Sequence, residues 1–440
     1  MYAIEELAHF VADHPADALP GDVRETISLH VADLMAAAAA GLPSLLAEAA
    51  RSAAGDLYGP GVARVWLTNQ SLSIAGAAMA NAAAASALDI DDGHRGAAGH
   101  AGAGVIPAAM AVGQALGASD AQIFDAIALG YDVALRVATS RPTATIETYS
   151  SGCWVGYGAA AAAGRLLGLN AAQMAHALAI AGAESPVAIF TGSSKYQGST
   201  LKEAIPPAVT AGLTAAFRAR AGATGPIDML DKPDLFARDV LTGDLGQSWW
   251  VQHCYLKPYA CCRYMHAAVD AIIALRQPGK TVKSLAIETF PQGLRLSNSH
   301  APATLEAGQY SFYFSCALAA IHGAAALQPV DAAHLNDQGV LNLAKRITLS
   351  AHDDFAASFP KGTPCRVTMD QGDGPETLTV LHPLGDVANP MNRVQVTEKF
   401  RRITRVSVGD AWQDSILSAL NTLGDSGFAP LFAALSDPKP

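Results

Sequence analysis

Residues 89–104 concentrate ionisable side chains in a chain that otherwise avoids charge. These side chains are Asp89, Asp91, Asp92, His94, Arg95 and His100. Because the flanking stretches 75–88 and 105–116 are apolar, the charges must be paired or used in chemistry. Carboxylates beside imidazoles are the usual general acid and base pair, so the segment predicts an acid–base site. The alternative is that each carboxylate merely ends a helix in solvent.

A metal centre is the competing interpretation of the same segment. His94 and His100 stand six residues apart, which matches neither the helical spacing of zinc enzymes nor an EF-hand. We therefore predict no metal ligand here.

A second cluster, residues 257–266, contains Lys257, Arg263 and His266. Pro258 keeps its neighbour extended, and a helix beginning near Arg263 places Arg263 and His266 one turn apart. Two cations and an imidazole at a helix start predict a carboxylate site, since arginine offers a bidentate fork. A surface helix start with a satisfied histidine explains the residues equally well, but a domain junction favours a ligand cleft.

The elements around these clusters divide the chain into two parts. Helical spacing runs from Ile4 to about Leu245, with helices predicted at 23–40, 71–88, 121–138, 157–167, 171–183 and 206–220. Polar loops interrupt it at 141–152 and 192–200. The dominance of alanine favours closely packed helices.

After Tyr255 the pattern changes. We predict a helix at 265–275, strands at 284–290 and 346–350, a hairpin at 366–381 turning at 372–375, and a helix at 309–327 on the sheet. The tail 397–435 is helical again. The predicted fold is mainly α: a large all-helical domain, residues 1–256 and 390–440, plus a smaller α+β lid domain, residues 257–389.

Composition excludes several classes of function. The net charge is -10, and the 29 Lys and Arg residues are spread thinly, which argues against nucleic-acid binding. Residues 1–7 show no basic region before an apolar core, so no secretory signal is predicted. Residues 96–119 carry no charge, but their glycines and Pro107 favour burial in the protein over a membrane span. We predict a cytoplasmic protein without a membrane partner.

The cysteines and serines do not predict nucleophilic or cofactor chemistry. The six cysteines form no CxxC pair, which favours reduced thiols over zinc ligands. Cys153 has no spaced His and Asn context, and Ser193-Ser194-Lys195 lacks the frame of a nucleophile elbow. No dinucleotide fingerprint or P-loop occurs, so no nucleotide cofactor is predicted.

In their order along the chain, these two clusters and several further motifs resemble the MmgE/PrpD family. The motifs lie at 88–92, 99–102, 156–169, 222–226, 257–259, 262–266, 309–311, 383–386, 389–390 and 399–400. Each motif alone is weak, but the ordered set is specific. The resemblance implies a helical domain with an α+β lid, an active site in the cleft between them, a homodimer, and no cofactor.

The family includes 2-methylcitrate dehydratase, cis-aconitate decarboxylase and iminodisuccinate epimerase, so the implied substrate is a small di- or tricarboxylate. By resemblance, Asp89, His100, Lys202 and His266 fall at or near catalytic or pocket positions. Lys257 and Arg263 would hold carboxylates. Asp92, His94 and Arg95 complete the predicted substrate-binding set.

The chain departs from the family pattern at three positions. Gly93 and Ala101 stand where dehydratases and decarboxylases of the family show Thr and Pro, and Tyr149 aligns with a usual His. Tyrosine, with an ordinary pKa of about 10, is a poor base unless cations lower that value.

The predicted reaction removes a proton alpha to a carboxylate, with cations stabilising the developing charge. His100 or His266 would take the proton, Tyr149 would face the opposite side of the carbon, and Asp89 would orient an imidazole. Two groups on opposite faces favour an epimerase. A dehydratase is the first alternative and a decarboxylase the second. An inactive carboxylate-binding homologue is the non-enzymatic alternative.

Overall fold

The computed structural model describes residues 1–142, 146, 150–186 and 201–436. Tyr149 and the predicted loop 192–200 lie outside the described residues, as does part of the loop 141–152. Helices α1 to α19 and strands β1 to β8 are labelled in chain order.

The N-terminal part is a stack of closely packed helices. They are α1 Ala3–Asp13, α2 Gly21–Gly41, α3 Leu45–Tyr58, α4 Ile74–Ser86, α5 Gly102–Leu116, α6 Asp120–Thr139, α7 Val155–Leu166, α8 Ala171–Ala183, α9 Ile205–Arg220 and α10 Arg238–Thr242. Four begin with a side-chain cap, as where Ser119 accepts the Gln122 amide of α6 and Asn170 accepts the Gln173 amide of α8. The helices predicted here occur with ends shifted by three residues or fewer.

Small residues determine how closely these helices approach. A Cβ added at Gly158 of α7 would lie 2.6 Å from the Gly130 carbonyl oxygen and 2.7 Å from Ala134 Cβ, both on α6. There is no space for a methyl group between the two backbones. Alanine and glycine therefore set the interhelical distance in this core.

Two short pairs of strands interrupt the predicted helical run. Strand β1 Pro60–Arg64 pairs with β2 Ser71–Leu72, and β3 Gly93–His94 pairs with β4 Cys254–Tyr255. The prediction of continuous helix from residue 4 to 245 was wrong at β1 to β3, because strands this short leave almost no alternating pattern. The β3–β4 pair joins the first ionisable segment to the chain entering the second.

The α+β part surrounds a four-stranded mixed sheet of order β6-β5-β7-β8. Strand β5 Ser284–Thr289 is parallel to β6 Thr348–Ala351 and antiparallel to β7 Cys365–Asp370, which forms a hairpin with β8 Pro375–Val380. Its helices are α11 His266–Leu275, α12 Leu305–Gln309, α13 Phe312–His322, α14 Gln338–Ala344 and α15 Asp353–Ala356.

The predicted helix 309–327 is broken into pieces. Ser311 caps α13 by accepting the Phe314 amide, and Gly323, with φ of 77°, ends it before the 3₁₀ turn Ala324–Leu327. A side-chain cap and a left-handed glycine are stop signals that the apolar periodicity of the stretch conceals.

The C-terminal helices return to the first part of the molecule. They are α16 Arg393–Thr404, α17 Asp410–Asn421, α18 Leu423–Ser426 and α19 Phe428–Ala434. Their buried side chains join the core formed by the N-terminal helices, whereas residues between Tyr259 and Met369 form a second core.

Among the described residues, no single helix is long and apolar enough to cross a membrane. Helices α2 and α3 pass that test only as a pair, and they are bent by 93° relative to each other.

Two glycine substitutions test the packing argument. Gly158→Ala should lower the free energy of unfolding by about 1–3 kcal/mol, since its methyl group has no room. Gly55→Ala in α3 has nothing within 4 Å of the new methyl group and should raise it by about 0.5–1 kcal/mol. Urea unfolding measures the free energy of unfolding of both variants. Equal changes in the two would contradict the tight packing at Gly158.

Candidate active site

Asp89 is the centre of the buried charge cluster. It follows α4 in a left-handed conformation, with φ of 52°, and only 1% of it is exposed. Lys202 Nζ lies 2.8 Å from its Oδ1, and Lys257 Nζ lies 2.9 Å from its Oδ2. Burial alone would raise the pKa of Asp89, but Lys202, Lys257 and His100 outweigh it and hold the pKa well below its usual range. Asp89 is therefore an anion at neutral pH.

His100 completes this cluster from the glycine-rich turn before α5. Its Nδ1 lies 2.7 Å from the Asp92 carbonyl oxygen and 3.2 Å from Asp91 Oδ2, and its Nε2 lies 3.3 Å from Asp89 Oδ1. Burial alone would lower the pKa of His100, but Asp91, Asp89 and Glu203 outweigh it and hold the pKa well above 6.5. These carboxyl groups favour the protonated form of His100, which can donate a proton.

Tyr310, at the end of α12, is a cluster residue that sequence reasoning missed. Its hydroxyl oxygen accepts a hydrogen bond from Lys202 and the hydroxyl lies 3.3 Å from Glu203 Oε1, to which it donates. Ser151 Oγ donates to Glu203 Oε2 at 2.7 Å and accepts from the His100 amide at 2.9 Å. The motif 309–311 was the available signal, but it assigned no role to the tyrosine.

His266 is adjacent to this cluster but is not placed to act as a base. Its Nδ1 accepts from Arg263 Nη1 at 3.2 Å, and its Nε2 donates to the Cys261 carbonyl at 3.1 Å. Burial, Arg263 and Lys257 all lower the pKa of His266, well below 6.5. Both ring nitrogens are engaged and the ring is neutral, so His266 orients its neighbours here.

Arg263 and Arg95 share one carboxylate, that of Asp386. Arg95 Nη2 lies 2.5 Å and Arg263 Nη2 3.3 Å from Asp386 Oδ2. The Tyr255 ring lies within 5.1 Å of Arg95 Cζ and 4.8 Å of Arg263 Cζ. Arg263 also donates to the Leu384 carbonyl at 2.9 Å. These contacts join residues 89–104 to the α+β part. They also occupy Arg95 and Arg263, which the sequence analysis predicted to bind substrate.

Asp92 points away from Asp89, into the helical core. Its Oδ2 lies 2.8 Å from His30 Nδ1 and accepts from the Tyr131 hydroxyl at 2.8 Å, and its Oδ1 accepts from the Gly102 amide at 3.1 Å. Burial would raise the pKa of Asp92, but the His30 and Tyr131 hydrogen bonds lower it. The Asp92 carboxylate therefore joins the turn to α2 and α6, while its backbone carbonyl contacts His100.

His94 packs against Trp250, with ring centroids 5.5 Å apart, and its Nδ1 accepts from the Ala97 amide at 3.2 Å. Burial, together with His253, lowers the pKa of His94 to about 4. Like Asp92, it shapes the turn.

The departure at Gly93 has a steric reason in this chain. A Cβ at Gly93 would lie 2.5 Å from the Tyr255 hydroxyl oxygen. Tyr255 therefore fills the space that a side chain at position 93 would need, and the two residues must be considered together.

The ligand atoms of Asp89, Asp91 and His100 lie within 4.8 Å of one another, a grouping that a metal ion could share. However, the Lys202 and Lys257 ammonium groups already neutralise Asp89, and the His100 ring nitrogens face the two carboxyl groups. Ion pairing therefore accounts for Asp89 and His100, whereas neither oxygen of the Asp91 carboxyl group makes an aligned hydrogen bond to a described residue.

Comparison with known families agrees with this geometry. Residues 5–247 match the MmgE/PrpD N-terminal domain, and residues 259–423 match the MmgE/PrpD C-terminal domain. The chain belongs to the MmgE/PrpD family. It is similar to a cis-aconitate decarboxylase of Aspergillus terreus (strain NIH 2624 / FGSC A1156), with 27% identity over 98% of this chain and 96% of that protein. A second cis-aconitate decarboxylase of Aspergillus terreus is 27% identical over 90% of this chain and 88% of its own length.

Four of the residues predicted from the MmgE/PrpD resemblance form one buried cluster: Asp89, His100, Lys202 and Lys257. His266 and Arg263 lie beside it, and Asp92, His94 and Arg95 lie behind it or at its edge. Tyr149 lies outside the described residues.

The pKa of His94 predicts part of the acid sensitivity of the fold. Between pH 6.5 and 4 the unfolded chain protonates this histidine and the folded chain does not, so stability is lost as pH falls through that window, by about 3 kcal/mol in total. His94→Asn keeps an acceptor for the Ala97 amide and removes the titration. Its free energy of unfolding should fall less than that of the wild type between pH 7 and 4.

Chemical denaturation at several pH values measures this difference. Asp132, whose pKa burial raises to about 6, acts in the opposite direction and is unchanged in both proteins, so the comparison cancels it. If the free energy of unfolding changed equally with pH in the two proteins, the lowered pKa of His94 would be contradicted.

Proposed function

We propose that this chain is a cofactor-independent lyase that decarboxylates a small unsaturated polycarboxylate, with His100 as the proton donor. The observation that carries the proposal is the arrangement of the cluster, in which the His100 ring faces two carboxyl groups and two lysines contact one carboxylate. His100 is an imidazolium beside the ammonium groups of Lys202 and Lys257, and all three surround one ionised carboxylate, Asp89. Such a site favours anionic substrates and supplies acids.

The lysines provide the cationic part of this chemistry. Lys257 Nζ, although 2.9 Å from Asp89 Oδ2, makes no aligned hydrogen bond to any described residue, which leaves its protons for a substrate carboxylate. Asp89 and Glu203 outweigh the effect of burial on Lys202 and raise its pKa, so it too stays charged. Two ammonium groups in a site closed to water stabilise anionic charge strongly.

In the proposed reaction the bond between a carboxylate and an allylic carbon breaks, and CO₂ leaves. The electron pair passes through the adjacent double bond onto a second carboxylate as a dienolate, which Lys202 and Lys257 stabilise. His100 then transfers its proton to the carbon alpha to that carboxylate, and solvent restores the proton. This sequence needs one acid and no base, and His100 is placed to be that acid.

The similarity to two cis-aconitate decarboxylases supports this choice of substrate class and reaction. Epimerisation, which the sequence favoured, needs proton acceptors as well as donors. Of the two histidines predicted as acceptors, His100 faces carboxyl groups that raise its pKa and favour its protonated form, and both ring nitrogens of His266 are engaged.

A dehydratase is the second candidate, and Glu203 favours it. Glu203 Oε1 lies 4.0 Å from His100 Nε2, so a carboxyl group and an imidazolium flank the same space. The carboxyl group would take the alpha proton, and His100 or Tyr310 would protonate the leaving hydroxyl.

The purified protein with cis-aconitate, and separately with 2-methylcitrate and citrate, tests the proposal. We expect CO₂ release from cis-aconitate, and His100→Asn should lower kcat/KM by about 100-fold or more. Because the pKa of His100 is raised, the donor stays protonated through pH 6.5, so kcat/KM should be level there and fall at alkaline pH. His322→Asn, which changes a partly exposed histidine of α13 that is paired with Asp337, is the matched control.

Each alternative predicts its own result in this assay. Water loss from a hydroxy acid, with a new enoate absorbance, would identify the dehydratase. Exchange of an alpha proton with solvent deuterium, without CO₂ or water release, would identify the epimerase. Calorimetric binding without turnover of any acid would indicate an inactive carboxylate-binding homologue.

Tyr310→Phe tests the residue that sequence reasoning missed. Removing the hydroxyl breaks its contacts with Lys202 and Glu203, and we expect kcat to fall about 10-fold or more with the fold intact. Tyr313→Phe, a neighbouring tyrosine that stacks on His300, should change kcat less than twofold. Similar kcat values for the two variants would exclude a role for the Tyr310 hydroxyl.

A further inference from the structure

Within residues 87–92, the backbone conformation is unusual at Asp89, the centre of the buried charge cluster. Asp89 has φ of 52°, a region that residues other than glycine avoid. Such a conformation persists only where the surroundings fix it. Three carbonyl groups of the segment are held from outside: Ala87 by Gln309 Nε2 at 3.2 Å, Ile90 by Lys399 Nζ at 2.7 Å and Asp92 by His100 Nδ1 at 2.7 Å.

Of these three residues, Lys399 belongs to the C-terminal helices. It belongs to α16, only 2% of it is exposed, and it contacts the carbonyl directly after Asp89. Its charge is balanced by Asp33 of α2, whose Oδ1 lies 2.5 Å from Lys399 Nζ. The ammonium group therefore binds α2, α16 and the Asp89 segment together at one point.

We propose that Lys399 is a positioning residue for Asp89: it fixes the Ile90 carbonyl, and so sets how Asp89 faces Lys202, Lys257 and His100. The C-terminal helices then serve the active site as well as the core. The effect on turnover rests on the proposed lyase function, but the effect on the backbone does not.

A purely structural role makes a different prediction. Lys399→Met removes the hydrogen bond to Ile90 but also leaves Asp33 as an uncompensated buried carboxyl group, which destabilises the fold. Lys399→Met/Asp33→Ala removes that charge as well. If Lys399 only balances Asp33, the double variant should recover both stability and kcat. If Lys399 positions Asp89, it should recover stability and not kcat.

We expect kcat of the double variant to be lower than wild type by about 10- to 100-fold, with KM changed less than about threefold. The alkaline limb of the pH profile should move to lower pH, because a displaced Asp89 supports the His100 imidazolium less. Arg393→Met breaks the exposed Arg393–Glu25 pair between the same two helices and should leave kcat within twofold. Recovery of kcat in the double variant would overturn the proposal.

Hydrogen–deuterium exchange provides a readout that does not require turnover. In the double variant, amides of residues 87–94 should exchange at least about 10-fold faster, while amides of α4 keep their protection. Unchanged exchange at 87–94 would overturn the positioning role. If the wild type releases no CO₂ from any acid, the lyase proposal fails, and the exchange result still decides the role of Lys399.

Discussion

The buried carboxylate of Asp89 is the interaction on which the arrangement of this molecule depends. An isolated anion could not remain ionised there, because burial costs more than one contact returns. Two lysines and an imidazolium surround it instead. Lys202 precedes α9, Lys257 follows β4, and His100 precedes α5, so three distant segments must meet at one carboxylate. The need to pair Asp89 therefore restricts how these three segments are placed relative to one another.

Three other buried carboxylates near this cluster are also paired with polar or charged groups from other segments. Asp92 holds His30, Tyr131 and the Gly102 amide, Asp33 holds Lys399, and Asp386 holds two arginines. Each joins segments that are far apart in sequence. Because an unpaired buried charge is costly, each contact restricts the segments it joins to one arrangement. The protein thus places the turn that carries His100 with polar contacts, within a core rich in alanine.

The sequence predicted which segments carry the chemistry but not which way their side chains point. Asp89 and Asp92 are three residues apart and of similar type, yet one faces the lysines and the other faces α2 and α6. The backbone at Asp89 is left-handed, a conformation that aspartate adopts only occasionally, so the residue type does not predict it. The helices of the large domain were predictable because their apolar periodicity is long. Tyr310 was not, and Lys202 was predicted only by resemblance, since each is a single polar residue whose partner lies more than a hundred positions away.

His100 and His266 show why the reaction could not be assigned from residue types alone. Both are buried histidines beside the same Lys257–Asp89 pair, and burial lowers the pKa of each. The difference lies in their other neighbours. Carboxyl groups of Asp91 and Glu203 face His100, whereas the guanidinium of Arg263 donates to His266. One imidazole therefore carries a proton and the other does not, so the cluster offers a donor where the sequence suggested an acceptor. In the proposed reaction the proton is given after CO₂ leaves, and a donor beside two ammonium groups suits that step better than removal of an alpha hydrogen.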